Sequence, residues 1–320
     1  MAKIYNEDIK NKFLETFPET TSDIYKYLFY RSYDTEDILG RDLYTFTSDE
    51  IKDVLINANH TTLNAVRLSH QVISTYLQWA AENGLSETNI NLAKTIKTDE
   101  LRNFIDKSRK LYLSEEEIID IEDHLVNYQD KALIRLIFEG VNGFQHSEIL
   151  NLVPENFNED TNELKLKDDK YGKRTIKVSD RCINIVKKAA NETEYHMKNG
   201  EAQGRRSTVK LAENYHVIKT KVTRVENFKR ADRHLVYRAL TSISEFFKLP
   251  YLSPKNIEKS GMLKMAHDIN PSGDLTNEEL TKIADHFNVR TVKINGREIY
   301  NYSLLREFIN KENIDSLYNQ

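Results

Sequence analysis

Apolar side chains recur every three to four positions through most of the 320 residues, the period that places them on one face of an α-helix. Three such runs begin with a hydroxyl followed three residues later by a glutamate: Thr47 with Glu50, Ser114 with Glu117, and Thr276 with Glu279. At that spacing the hydroxyl accepts from the third helical N–H while the carboxylate reaches back to the N–H of the capping residue, so each pair marks a helix start. Ser253 followed by Pro254 marks a fourth, since proline lacks an N–H that the first turn leaves unbonded in any case. One stretch follows a different rule. Leu164 and Leu166 alternate with polar residues, Ile176 and Val178 do the same, and Asp168, Asp169 and Gly172 lie between them. A period of two on both sides of a polar turn predicts a β-hairpin. Residues Asn214 to Val222 (NYHVIKTKV) read as a third strand, and the polar tract from Leu92 to Lys110 reads as a linker. The expected fold is mainly α with a small antiparallel β-sheet.

The helix expected from Thr62 to about Glu82 carries an apolar stripe of Leu63, Val66, Ile73, Tyr76, Leu77 and Ala80. Its other face holds Asn64, Arg67, Gln71, Ser74 and Gln78, with no acid among them. Such a face either meets water or offers donors to base edges and phosphates. Charge sharpens the picture. The chain is net acidic at -4, yet between Arg205 and Arg238 ten bases stand against three acids, which is either a solvated face or a surface for phosphate. The single cysteine, Cys182, excludes an internal disulfide, and no Cys/His cluster has zinc spacing, so neither a metal nor another cofactor is expected. No apolar run approaches the roughly 20 residues that cross a bilayer, and the first residues lack a signal-peptide core. A cytoplasmic protein with no membrane partner is expected.

Larger blocks fall in a telling order. TSDEIKDVL and TTLNAVRLSHQVISTYLQWAAENGL come first; then YLSEEEIIDIEDHL from Tyr112, KALIRLIFEGVNGFQHSEILNLVPENFN, the hairpin, YLSPKNIEKSGMLKM, KIADHFNV and a late tyrosine. In order and spacing the chain resembles the tyrosine recombinase, or phage integrase, family. That resemblance implies a two-domain clamp: residues 1–95 as a helical, SAM-like core-binding domain for DNA, 96–111 as a linker, and 112–320 as a catalytic-type domain. In this family a tyrosine attacks a phosphodiester, two arginines grip the non-bridging oxygens, a lysine protonates the leaving oxygen, and histidines assist.

Carried over by position, the catalytic set is degenerate. The family's Gly-x-Arg-x-x-Glu meets Gly143 to Glu148, which puts Gln145 at the arginine and keeps the glutamate. Its Pro-His-x-x-Arg box meets Pro254 to Glu258, with Lys255 at the histidine and Glu258 at the second arginine. Lys170 or Lys173 matches the lysine, His286 the later histidine, and Tyr300 or Tyr302 the nucleophile. The resemblance therefore implies an inactive recombinase homologue that keeps its DNA contacts: Thr62, Asn64, Arg67, Gln71, Lys94, Lys97, Lys170, Lys173, Arg174, Arg205, Arg206, Lys229, Arg230 and Lys255. The whole pattern is similar to the integrase-like lysogeny repressors of SPbeta-type prophages. This implies a transcriptional repressor on double-stranded operator DNA, with a protein antirepressor as a further partner. Two other readings stand beside it. A working recombinase would need Arg135 or Lys259 in a displaced role. An accessory protein would act through self-association, for which Leu304 to Tyr318, striped by Leu304, Phe308 and Ile309, matches the C-terminal helix that family members pass to a neighbour.

Overall fold

The computed structural model describes residues 3–86, 90–204, 207–222, 230–294 and 296–319. The chain divides into two compact units between Lys110 and Leu111. The first is built from α1 (Glu7–Leu14), α2 (Glu19–Leu39), α3 (Ser48–Asn57) and α4 (Leu63–Glu82). The Thr47–Glu50 capping box starts α3, and the Thr62 hydroxyl accepts from Ala65 N to start α4. The tract expected as a linker is instead part of this unit. It forms 3-10 turns at Leu92–Thr95 and Glu100–Phe104, and Ala93, Ile96, Leu101 and Phe104 are buried in the same core as Ile73 and Tyr76. Its polar average hides four apolar anchors, and their burial keeps the tract from acting as a free connector.

That core also contains a charge. Lys10 is fully buried, with Nζ 2.5 Å from Glu36 Oε1, 3.4 Å from Asp42 Oδ2 and donating to the Tyr5 carbonyl at 2.7 Å. Glu36 also accepts from Leu43 N and Ser32 Oγ, both at 2.8 Å, and Asp42 accepts from the Tyr76 hydroxyl at 2.9 Å. Burying ions is tolerable only when partners replace water this completely.

The second unit is organised around α6 (Tyr128–Phe138), whose residues from Ala132 to Phe138 are all buried. It lies among α5 (Glu115–His124), α8 (Asp180–Asn191), α9 (Arg233–Phe247) and α10 (Pro254–Ile269). Gly261 sets the approach of α10: a Cβ there would lie 1.7 Å from the Phe138 carbonyl oxygen. Between α6 and α8 the chain forms α7 (Ser147–Leu150) and an antiparallel sheet of β1 (Phe157–Asn158), β2 (Glu163–Asp168) and β3 (Gly172–Lys177). The expected hairpin is β2–β3, with Leu164 opposite Ile176 and Leu166 opposite Arg174. The third strand is β1. Residues 214–222 form no strand and contribute only the isolated Leu211–Lys221 bridge, because the adjacent residues Val217 and Ile218 are both fully buried, which defeats a strand's alternation.

Two short ribbons, β4 (Glu194–His196) with β5 (Thr208–Lys210) and β6 (Val292–Ile294) with β7 (Arg297–Ile299), flank this body, and α11 (Asn277–His286) packs on α10. The C-terminal segment is two helices, α12 (Tyr302–Arg306) and α13 (Lys311–Tyr318), separated at the Asn310 cap. Leu305, Phe308, Ile309 and Ile314 are buried with Leu280 and Ile283 of α11, so this segment packs on its own unit, and Leu304 is largely exposed. Among the described residues no helix is long and apolar enough to cross a membrane.

Because Gly261 has no room for a methyl group, Gly261→Ala should force α6 and α10 apart. A loss of about 1–3 kcal/mol is expected, the usual cost of overpacking, read as a lower urea midpoint. An unchanged midpoint would show that the two helices separate freely.

Candidate nucleic-acid interface

Past α6 the chain turns through Gly140 (φ 90°) and Gly143 (φ 75°) into α7. Space dictates the second glycine: a Cβ would sit 2.6 Å from Asp168 Oδ2 and 2.7 Å from Glu148 Cγ. Asp168, at the end of β2, accepts from Phe144 N and Lys170 N at 2.6 Å and from Tyr171 N at 3.0 Å. Burial pushes its carboxyl up, but these three N–H groups outweigh that and hold it below the usual carboxylate range. Glu148 is 1% exposed and takes Arg174 Nε at 2.6 Å and Nη2 at 2.7 Å, together with Asn142 N at 3.1 Å. Arg174 also donates to the carbonyls of His286 (2.5 Å) and Gly140 (2.6 Å). A single guanidinium thereby ties together β3, α7, the end of α6 and the end of α11.

On this frame sit the positions matched to the catalytic set. Gln145 and His146 both adopt the left-handed conformation, at φ 53° and 64°. Gln145 is exposed, whereas His146 is buried, its ring edge-on to Tyr237 at 4.8 Å. His146 Nδ1 lies 2.7 Å from Asn142 Oδ1, and Asn142 Nδ2 donates to Glu258 Oε1 at 3.1 Å. With the amide nitrogen facing the carboxyl, the amide oxygen receives the Nδ1–H of His146. Burial raises the Glu258 carboxyl above its ordinary range, against the Asn142 hydrogen bond and the Arg174 charge. The carboxyl is thus turned onto Asn142.

Lys255, in the first turn of α10, is exposed, as are Lys170 and Lys173 in the hairpin, and Lys170 Nζ lies 5.0 Å from the Phe144 ring centroid. His286 Nε2 is 3.0 Å from the Glu139 carbonyl oxygen, and burial lowers its pKa. The Tyr300 hydroxyl donates to Asp285 at 2.6 Å, and that of Tyr302 lies 2.9 Å from Thr281 Oγ1. Burial and the Asp285 carboxylate push Tyr300 up to about 12. Arg135 is fully buried in a bidentate pair with Glu122 at 2.7 and 2.9 Å. Lys259 packs 4.3 Å over the Phe308 ring, and burial pushes it down to about 8.

In the first unit, Asn64 and Gln71 are exposed on α4, and Arg67 Nη1 lies 3.3 Å from Asn64 Oδ1. Asn91 donates to the Ser74 carbonyl at 2.7 Å and Lys94 to Gln78 Oε1 at 3.3 Å, so the 3-10 turn at Leu92–Thr95 sets a lysine beside the polar face of α4. Lys97 is exposed nearby in sequence. In the second unit Arg230 donates to Asp169 at 2.9 Å and to Asn151 Oδ1 at 2.5 Å. Arg205, Arg206 and Lys229 lie outside the described residues.

Residues 112–319 match a family model described as the C-terminal catalytic domain of MrpR, and residues 4–82 match one described as its N-terminal core-binding domain. The chain belongs to the MrpR family. A relative, the SPbeta prophage-derived uncharacterized protein YopR of Bacillus subtilis (strain 168), is 37% identical over 319 residues, covering 98% of this chain and 97% of that protein. Among solved structures, XerA recombinase aligns with a TM-score of 0.42 at 11% identity, covering 99% of this chain and 98% of that one. A lambda integrase dimer bound to a COC' core site aligns with a TM-score of 0.44 at 12% identity, covering 91% and 80%. The chain thus carries both parts that the family models describe, a core-binding domain and a C-terminal catalytic domain.

Arg174 departs from its expected place on a DNA-facing surface, since four donors of its guanidinium are engaged inside the protein. The signal was available: Arg174 shares strand parity with Ile176 and pairs with Leu166, so it belongs to the inward face of the hairpin. Arg174→Ala should strand Glu148 as a buried charge and cost about 3–5 kcal/mol, whereas Lys173→Ala next to it should change stability by less than about 0.5 kcal/mol. Equal effects in urea titrations would contradict that placement. Burial also lowers His60, His146, His216 and His286. A histidine depressed in the folded state contributes stability above its unfolded value near about 6.5 and loses it as pH falls through that value. Melting temperature should therefore drop from pH 7.5 to 5.5, and less steeply in His146→Asn, a residue that tolerates the left-handed backbone.

Proposed function

We propose that this chain is a sequence-specific duplex-DNA-binding protein, a prophage transcriptional repressor that holds operator DNA in an integrase-type clamp without cutting it, in the cytoplasm of its bacterial host. The reading rests on the pair Gln145 and Glu258, which the resemblance to tyrosine recombinases matches to two phosphate-gripping arginines. Gln145 is exposed with no charge to offer, and Glu258 is folded onto Asn142. Loss of one preorganised donor to a developing oxyanion costs about a hundred- to a thousandfold in rate, and two are replaced here. The tyrosines add to this. The Tyr300 hydroxyl is raised above its ordinary range, the opposite of the lowering that activates a nucleophile. The working-recombinase alternative loses its candidates as well, because Arg135 is engaged by Glu122 and Lys259 is packed on an aromatic ring.

DNA contacts in this reading come from the acid-free face of α4 (Asn64, Arg67, Gln71, started by Thr62) with Lys94 and Lys97. From the second unit come Lys170, Lys173, Lys255 and Arg230, with Arg205, Arg206 and Lys229. The prophage setting follows from the source of YopR, 37% identical over nearly the whole chain.

The test offers the purified chain duplexes from the promoters beside its own gene, random duplexes of equal length, and nicked suicide substrates. Selective retention of promoter fragments with no covalent protein–DNA adduct is expected, and Tyr300→Phe with Tyr302→Phe should repress as the parent does. An adduct would refute the non-cutting part; equal affinity for random DNA would refute specificity. Arg67→Ala should narrow the gap between operator and random DNA by about 1–3 kcal/mol if Arg67 reads a base, and a uniform loss of affinity would make it a phosphate contact instead.

A further inference from the structure

A second concentration of positive charge lies in the groove between α6 and α8, outside every position matched to the recombinase site. Asn184, Ile185 and Lys188 lie three, four and seven residues after Arg181, so the four form one stripe along α8. Opposite them α6 contributes Tyr128 and Lys131, and Asp123 closes the rim. The groove is half open and has a volume of about 400 Å³, within the range of small-ligand sites.

Its charges are unevenly matched. Arg181 is neutralised by Glu122 and Asp123, each at 2.6 Å. Lys131 and Lys188 have no carboxylate partner among the described residues; instead both ammonium groups are held over the same Tyr128 ring, 4.9 and 5.0 Å from its centroid. Lys188 also donates to the Tyr128 hydroxyl at 3.2 Å. Both lysines line the groove, so an anion seated in it gains a charge-assisted hydrogen bond from each ammonium. Asn184 adds an amide donor, and the Tyr128 ring with Ile185 gives an apolar wall.

We propose that this groove binds a small phosphate monoester, its phosphate bridging Lys131 and Lys188 and its organic body lying against Tyr128 and Ile185. A monoester carries about -1.5 to -2 charges near neutrality, which matches the two unpaired ammoniums; a carboxylate supplies one. The placement does not depend on whether the chain represses, binds DNA or cuts it.

Calorimetric titration of the full chain with phenyl phosphate at constant ionic strength tests this, with sodium chloride as the blank. Saturable one-to-one binding is expected, weakened at least tenfold in Lys131→Gln with Lys188→Gln, while affinity for duplex DNA stays within twofold of the parent. Should the double variant fail to fold, Asn184→Asp, an exposed single change that brings a negative charge into the groove, is expected to weaken phenyl phosphate by a similar factor. Absence of saturable heat in the parent, or an unchanged dissociation constant in the variants, overturns the proposal. So does a tenfold loss of DNA affinity in the double variant, which would make the groove part of the nucleic-acid contact.

Discussion

Arg174 lies between a nearly inaccessible carboxylate and the carbonyls at the ends of two helices, and the geometry around Gln145 and Glu258 depends on that position. Its bidentate pair with Glu148 replaces the water that both charges lose on burial. The carbonyls of Gly140 and His286 belong to helix C-termini, where unbonded oxygens and the helix dipole favour a cation. Removing any of these partners leaves an unsatisfied charge or carbonyl at the centre of the unit. For that reason Asn142, whose N–H also reaches Glu148 and whose side chain links His146 to Glu258, is held in register from both directions.

The same economy of cations explains why charge counted along the sequence overstates the surface available to an anion. Lys10, Arg135 and Arg174 are engaged within the protein, and Lys219, in the basic stretch from Arg205 to Arg238, is buried with Nζ on the carbonyls of Ala190 and Glu192. Arg230, in the same stretch, meets Asp169. Screened surface pairs of this last kind are worth little, so Arg230 is held far less firmly than Lys219 even though the two count alike in a net charge.

What the sequence made legible was whatever local rules decide. Three capping boxes, the Ser253–Pro254 start and the β2–β3 hairpin are each fixed by residues within a few positions of one another, and each is present in the structure. Long-range burial was less legible. Ile96, Leu101 and Phe104 sit in a tract whose average is polar, so their role in the first core is invisible without the helices they meet. Val217 and Ile218 looked like part of an alternating strand because their neighbours are polar, yet both are buried. The motif boxes located Gln145, Glu148 and Glu258, but not that Glu258 bonds Asn142 or that Arg174 completes the site of Glu148.

Gln145 and His146 are consecutive non-glycine residues at positive φ, a conformation costing roughly 1–2 kcal/mol per residue. The bonds that offset this cost are made by neighbours: Phe144 N to Asp168, Asn142 N to Glu148, and the His146 ring to Asn142. None involves the Gln145 side chain, which points to solvent. The loop's shape therefore rests on no side-chain bond from 145, and an arginine or a glutamine there meets the same backbone. Glu258 is different, because its carboxyl accepts from Asn142 and so is part of the packing. The Gln145 side chain thus stands apart from the bonds that hold its loop, whereas the Glu258 carboxyl takes part in one of them.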